Sequence, residues 1–179
     1  MQLPKVTLRE ATKLDSAAIA HLHAESWRSA YRGILSDDYL DQRANTERAA
    51  LWQSRFSEIA SKPFFAVLAE TGAELAGFAC VFPQEHPTFG SFLDNLHVVP
   101  QSIGQGIGRQ LLGGVARRLI ADKVPGGLYL WVIEKNSRAR KFYAKAGAVE
   151  VERVELPMPD GSRLAEMRCY WPDPARLLP

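Results

Sequence analysis

Val98-Val99-Pro100-Gln101-Ser102-Ile103-Gly104-Gln105-Gly106-Ile107-Gly108 is the stretch on which the rest of the chain turns. An apolar, strand-like segment stops at Pro100, and three glycines at alternate positions lead into an amphipathic pattern. Glycines let backbone N–H groups converge without Cβ interference, and a helix N-terminus adds partial positive charge. Such a junction suits a pyrophosphate. Two nucleotide motifs fail against it. A dinucleotide fingerprint starting at Gly104 needs glycine or alanine where Arg109 stands, and no Gly-Lys-Ser/Thr follows.

Working outward, Ile107, Leu111, Val115 and Leu119 recur at helical spacing and predict a helix to about Ala121. Upstream, residues 64–69, 75–82 and 91–98 are rich in aromatic and β-branched types and read as strands. Thr71-Gly72-Ala73-Glu74 makes the first turn between them, and residues 83–89 make a longer loop. Downstream, 128–133 reads as a strand and 136–145 as a helix ended by Gly147. Residues 149–156 and 164–170 read as two last strands around Asp160-Gly161. In the N-terminal third, residues 6–10 form a strand, and Asp15 is placed to cap a helix bearing Ile19, Leu22 and Trp27. Ser36 caps a short helix through Leu40. Thr46 starts another, with Ala50, Leu51, Phe56 and Ile59 on one face, stopped before Pro63. The order β-α-α-β-β-β-α-β-α-β-β is that of an α/β (α+β) mixed sheet with helices on both faces, in one domain spanning 1–179.

The 179 residues, 46% hydrophobic and 23% charged, fit an ordinary globular chain. No apolar run approaches the roughly 18 residues of a membrane helix, and the first eleven residues hold no signal-like apolar region. A cytoplasmic protein with no membrane partner is expected. Cys80 and Cys169 are too few for a disulfide framework and too isolated for zinc, so buried free thiols and no metal are expected. The net charge of +2 hides a division: residues 101–145 carry nine Lys or Arg against two acids, a net of +7, and the remainder sums to −5. No stacking-aromatic pattern or DNA-binding motif accompanies the basic segment, so nucleic acid is not an expected partner.

A second motif lies within that segment: Asn136-Ser137-Arg138-Ala139-Arg140-Lys141-Phe142-Tyr143-Ala144-Lys145-Ala146-Gly147. Together with the glycine junction it resembles the GNAT superfamily of N-acetyltransferases. The first motif is similar to that family's Gln/Arg-x-x-Gly-x-Gly/Ala signature in the register ending on Gly106 and Gly108, where Ile103 replaces the Gln or Arg. A literal match also runs from Gln101 through Gly104 to Gly106. The second resembles Asn-x-x-Ala-x-x-Phe-Tyr-x-Lys-x-Gly-Phe, with Ala148 in place of the final Phe. The resemblance covers roughly residues 64–170, and the segment 26–35 is similar to a form common in bacterial members, whose helix pair walls the acceptor site.

The resemblance implies acetyl-CoA as cosubstrate, and it implies sites residue by residue. Coenzyme contacts fall on Leu96, His97, Val98 and Val99, and on the turn of Ile103, Gly104, Gln105, Gly106, Ile107, Gly108 and Arg109. Asn136, Arg138 and Tyr143 complete the set. The backbone amide of Val98, where the fourth strand splays from the fifth, polarises the thioester carbonyl. Tyr143 protonates the departing sulfur, a task for which a phenol needs no tuning at neutral pH. The acceptor wall is drawn from Trp27, Tyr31, Asp94 and Trp131, with the 83–89 loop. No general base is named: Phe92 occupies the strand position where many members place a glutamate, and Asp94, Glu85, His86 and His97 all have ordinary structural roles. The acceptor is a small-molecule or peptide amine and the assembly a monomer or homodimer. Two other readings stand beside catalysis: an acyl-CoA-binding sensor without turnover, and a protein-interaction module keeping only the fold.

Overall fold

The computed structural model describes residues 5–57 and 62–178. Seven strands form one sheet: β1 (Val6–Glu10), β2 (Phe65–Thr71), β3 (Glu74–His86), β4 (Gly90–Val98), β5 (Leu128–Ile133), β6 (Val149–Pro157) and β7 (Arg163–Trp171). Their spatial order is β1-β2-β3-β4-β5-β7-β6, and every neighbouring pair is antiparallel except β4 and β5. The parallel pair requires a crossover, supplied by α3 (Ile107–Ala121). Helix α3 and α4 (Ser137–Lys145) cover one face, where Ile107, Leu111, Val115 and Leu119 are buried against Ala79, Leu130 and Trp171. Each such buried aliphatic contributes about 1.5–3 kcal/mol relative to exposure. Helices α1 (Ser16–Tyr31) and α2 (Ala44–Arg55) cover the other face, with Ile19, Leu22 and Trp52 packed on Leu68, Phe78 and Cys80. Both cysteines are buried free thiols; burial pushes Cys80 up to about 12 and Cys169 up to about 11.

The predicted elements need four local corrections. Asp15 occupies the N-cap position of α1, yet its carboxylate accepts no helix amide; it accepts from Arg9 (2.7 Å) and from the N–H of Thr12 (2.7 Å). Thr46 does not begin a helix: a π-helical turn, Tyr39–Arg43, runs straight into α2. The inward residues of that run are Tyr39, Leu40, Ala44 and Trp52, whereas Ala50 is exposed. Ile59 lies outside the described residues. Finally, residues 83–86 belong to β3, whose register with β4 shifts between Phe82 and His86. Pro83 therefore falls where no ladder partner needs its missing N–H.

Two features shape what lies between the layers. Strands β4 and β5 pair only at Ser91–Leu128 and Phe92–Tyr129, then splay apart. The segment joining α1 to α2 packs Leu35, Tyr39 and Leu40 against Met158 and Leu164 of the β6–β7 hairpin, and the Ser36 N–H donates to Asp160 at 2.8 Å. No helix among the described residues is long and apolar enough to cross a membrane.

Candidate active site

The splay opens a cleft of about 770 Å³ between the ends of β4 and β5, roofed by the start of α3, by α4 and by the C-terminal half of α1. Backbone alternation decides what β4 offers it. The Val99 N–H donates to Ala76 O of β3 at 2.9 Å, so the N–H of Val98, one residue earlier, points to the opposite edge. There β5 has already departed. Leu96 shares that orientation, and Leu96, Val98, Leu130 and Val132 line the gap. A strand edge without its partner has amides to donate.

The glycine turn forms the upper rim. Gly104 and Gly106 have φ of +86° and +81°, and a Cβ built on either meets nothing within 4 Å. The left-handed conformation excludes bulkier residues at a cost of about 1–2 kcal/mol, and it leaves an open hollow in front of α3. The first α3 bond is Gln110 N–H to Gly106 O, so the amides of Gly106, Ile107, Gly108 and Arg109 are free to meet an anion. Gly108 has a different function: a Cβ there would lie 3.1 Å from the Phe142 ring, so it seats α3 on α4.

Most residues implied by the resemblance come together on this cleft: Leu96, His97, Val98, Ile103, Gly104, Gly106, Ile107, Gly108, Arg109, Asn136, Arg138 and Tyr143, and so do Tyr31, Asp94 and Trp131, implied for the acceptor wall. Three do not. Val99 is turned by strand alternation into the α1/α2 core. Gln105 spends its amide on Ser102 O (3.3 Å) and its side chain on Gln101 O (3.2 Å); the Ile103 amide is likewise bonded to Pro100 O. Trp27 packs edge-on against Tyr31 at 5.1 Å, with the Arg48 guanidinium 4.2 Å over its ring, and stays behind the wall. The 83–89 loop also lies elsewhere, its His86 and Phe89 packed on Tyr129.

Tyr143 stands at the cleft on α4, its ring held edge-on by Phe142 (5.2 Å) and Trp171 (6.0 Å). Burial pushes its phenol well above 10, so the hydroxyl keeps its proton. Tyr31 is pushed up to about 12 for the same reason. Asn136 caps α4, accepting the Ala139 N–H at 3.1 Å, while lining the cleft. Of the nine basic residues of the +7 segment, Arg109, Arg138 and Lys145 line it. Arg118 is paired with Glu10 and Asp122, and Arg140 with Glu150.

Among the candidate bases, Asp94 is held by Arg55 at 2.5 Å, which also binds Asn95 at 2.8 Å. Glu85 accepts from Tyr129 (2.8 Å) and Lys62 (3.2 Å) away from the cleft. The wall also includes Ser26 and Ser29 of α1, which the motif reading passed over. Ser26 lies on the inward stripe with Ile19, Leu22 and His23, a polar residue at a core-facing helical position, and that spacing was the available signal. Among the described residues no three His, Cys, Asp or Glu cluster as a metal site would require.

The acetyltransferase (GNAT) family model matches residues 18–148. The chain is 32% identical over 171 residues to the uncharacterized N-acetyltransferase YuaI of Bacillus subtilis, covering 94% of each. It is 30% identical over 146 residues to the probable N-acetyltransferase Rv2775 of Mycobacterium tuberculosis, covering 81% of this chain and 80% of that one. Among solved structures, the PaiA N-acetyltransferase of Thermoplasma acidophilum, crystallised with coenzyme A, superposes with a TM-score of 0.71 at 18% identity, over 93% of this chain and 99% of the other.

Proposed function

This chain belongs to the GNAT family of acetyltransferases, and on that premise we propose that it moves an acetyl group from acetyl-CoA directly to a primary amine. The observation that carries the proposal is the splay of β4 from β5, which leaves the Val98 N–H without a strand partner in the same cleft as the Tyr143 hydroxyl. The hollow before α3 fits the coenzyme's diphosphate: four free amides face it, no Cβ fills it, and Arg109 and Arg138 flank it. The Thermoplasma relative bound to coenzyme A supports the same assignment.

In the reaction, the Val98 N–H donates to the thioester carbonyl oxygen as negative charge develops there. Tyr143, held neutral by burial, gives its proton to the departing sulfur. Leu96 and Val98 offer the strand edge along which the pantetheine arm lies, and Tyr31, Asp94 and Trp131 stand on the acceptor side. The acceptor is a small molecule or a protein amine. Thiol release from acetyl-CoA, followed over a panel of amines with mass detection of the acetylated product, tests this reading. Saturable release with product formation is the expected result. Coenzyme A binding without release from any amine would make the chain an acyl-CoA sensor, a reading favoured by the exposed Ile103 where the family carries Gln or Arg. Absence of coenzyme A binding would leave only a fold used for protein interaction.

A further inference from the structure

The cleft holds one pair of side chains whose contact no motif assigns. His97 of β4 and Ser26 of α1, seventy-one positions apart in the chain, meet with Ser26 Oγ 2.9 Å from His97 Nδ1, and both line the cleft with Val98 and Tyr143. We propose that His97 is the proton acceptor for the attacking amine at Nε2, with Ser26 as the positioning residue that accepts the Nδ1–H and so fixes the ring tautomer. This inference rests on the acetyltransferase reading and supplies its missing base.

The surroundings favour a neutral ring with an open Nε2. The bond to Ser26 is the only hydrogen bond the His97 ring makes among the described residues. From α1, His23 lies ring to ring at 4.6 Å; from β3, Phe78 lies at 5.4 Å; from α2, the Arg48 guanidinium adds positive charge. His23 is itself fixed: Trp52 Nε1, which can only donate, bonds its Nδ1 at 3.0 Å, and its Nε2 is buried without a partner. Burial first, then Arg48, lowers His97 to about 3, and His23 is also held well below its usual range. The ring is therefore neutral near pH 7, which leaves the Nε2 lone pair free to take a proton and hand it on to solvent. Asp94, the one carboxylate lining the cleft among the described residues, is engaged by Arg55.

Atoms balance. The amine nitrogen bonds to the acetyl carbon and loses one proton to His97 Nε2, while the C–S bond breaks and the sulfur takes the Tyr143 proton. His97 then releases its proton to solvent and Tyr143 recovers one, leaving amide and free thiol.

Two measurements on the full-length protein test the proposal. Long-range ¹H–¹⁵N spectra of the imidazoles of the free protein should show His97 as the neutral Nδ1–H tautomer near pH 7, shifting in Ser26→Ala and returning in Ser26→Thr. An Nε2–H tautomer or a charged ring overturns the assignment whether or not any variant folds. With an accepted amine, His97→Ala should lose about 100-fold in kcat, keep its affinity for coenzyme A, and recover turnover on addition of free imidazole. Wild-type turnover with an equally fast His97→Ala overturns this inference alone; lack of wild-type turnover with every amine overturns it together with the acetyltransferase reading.

Discussion

The two faces of the sheet are built on opposite principles. On the α3/α4 face the core is apolar, from Leu111, Leu112 and Val115 to Trp171, and what it offers a ligand is backbone: the free amides before α3 and the unpaired edge of β4. On the α1/α2 face the packing is laced with polar side chains, His23, Ser26, Asn95 and Arg168 among the most buried. All four buried side-chain nitrogens without a partner among the described residues, on His23, Arg48 and Arg168, lie there. Under the proposed function, the backbone site would recognise what is common to every turnover, the coenzyme. A side-chain site is free to vary with the acceptor, and it accepts unsatisfied polar groups as the cost of that freedom.

The sharpest way to break this division is at Tyr143, the polar group on the coenzyme face to which the proposed function gives a chemical step. Tyr143→Phe should lower kcat by at least about 100-fold while leaving calorimetric affinity for coenzyme A unchanged. Because burial raises this phenol, the proton is retained as pH rises, and wild-type kcat should show no fall near pH 10. Next, Gly106→Val forces a β-branched residue into φ +81° and projects it into the open hollow. Coenzyme A affinity should drop roughly tenfold or more with little change in kcat at saturation. A loss confined to kcat would remove the cradle from its role.

Acid separates the faces by stability. His23 and His97 are held neutral below their unfolded value of 6.5, so beneath that pH the unfolded chain binds more protons than the folded one. Stability contributed by these groups is present above pH 6.5 and is lost as pH falls, at about 1.4 kcal/mol per pH unit for each. Hydrogen-exchange protection factors, with the intrinsic pH dependence of amide exchange divided out, should fall between pH 7 and pH 5 in α1 and α2 before α3 and α4. A uniform fall would deny the asymmetry. The smallest effect is expected at Ile103, exposed at the rim. Ile103→Arg adds one surface cation beside the cradle and should tighten coenzyme A binding by no more than about fivefold, most visibly at low salt.

What could be read from the chain follows the same line. Elements fixed by local pattern, such as α3 through Ile107, Leu111, Val115 and Leu119, or β5, match their expected bounds. The run from Ser36 into α2 departs from a simple helical pattern because a π turn adds a residue to the period and brings Tyr39, Leu40 and Ala44 inward together. Pro83 suggested a loop where β3 continues through a register shift. The glycine cradle is local, since positive φ at Gly104 and Gly106 demands glycine and advertises it. The free amides are those of Gly106 to Arg109, which spacing alone does not separate from Ile103 and Gln105. The Ser26–His97 contact joins a helix and a strand far apart in the chain, and nothing in either residue's neighbourhood announces the other.

The account stands most directly on where acetyl-CoA lies. Titrating acetyl-CoA into ¹⁵N-labelled protein should move the amide resonances of Val98, Gly104, Gly106, Gly108 and Arg109 most, in one saturable transition, with the Val98 signal shifted downfield by its new acceptor. Absence of binding, or binding whose largest shifts lie away from the β4 edge and the α3 N-terminus, would contradict it.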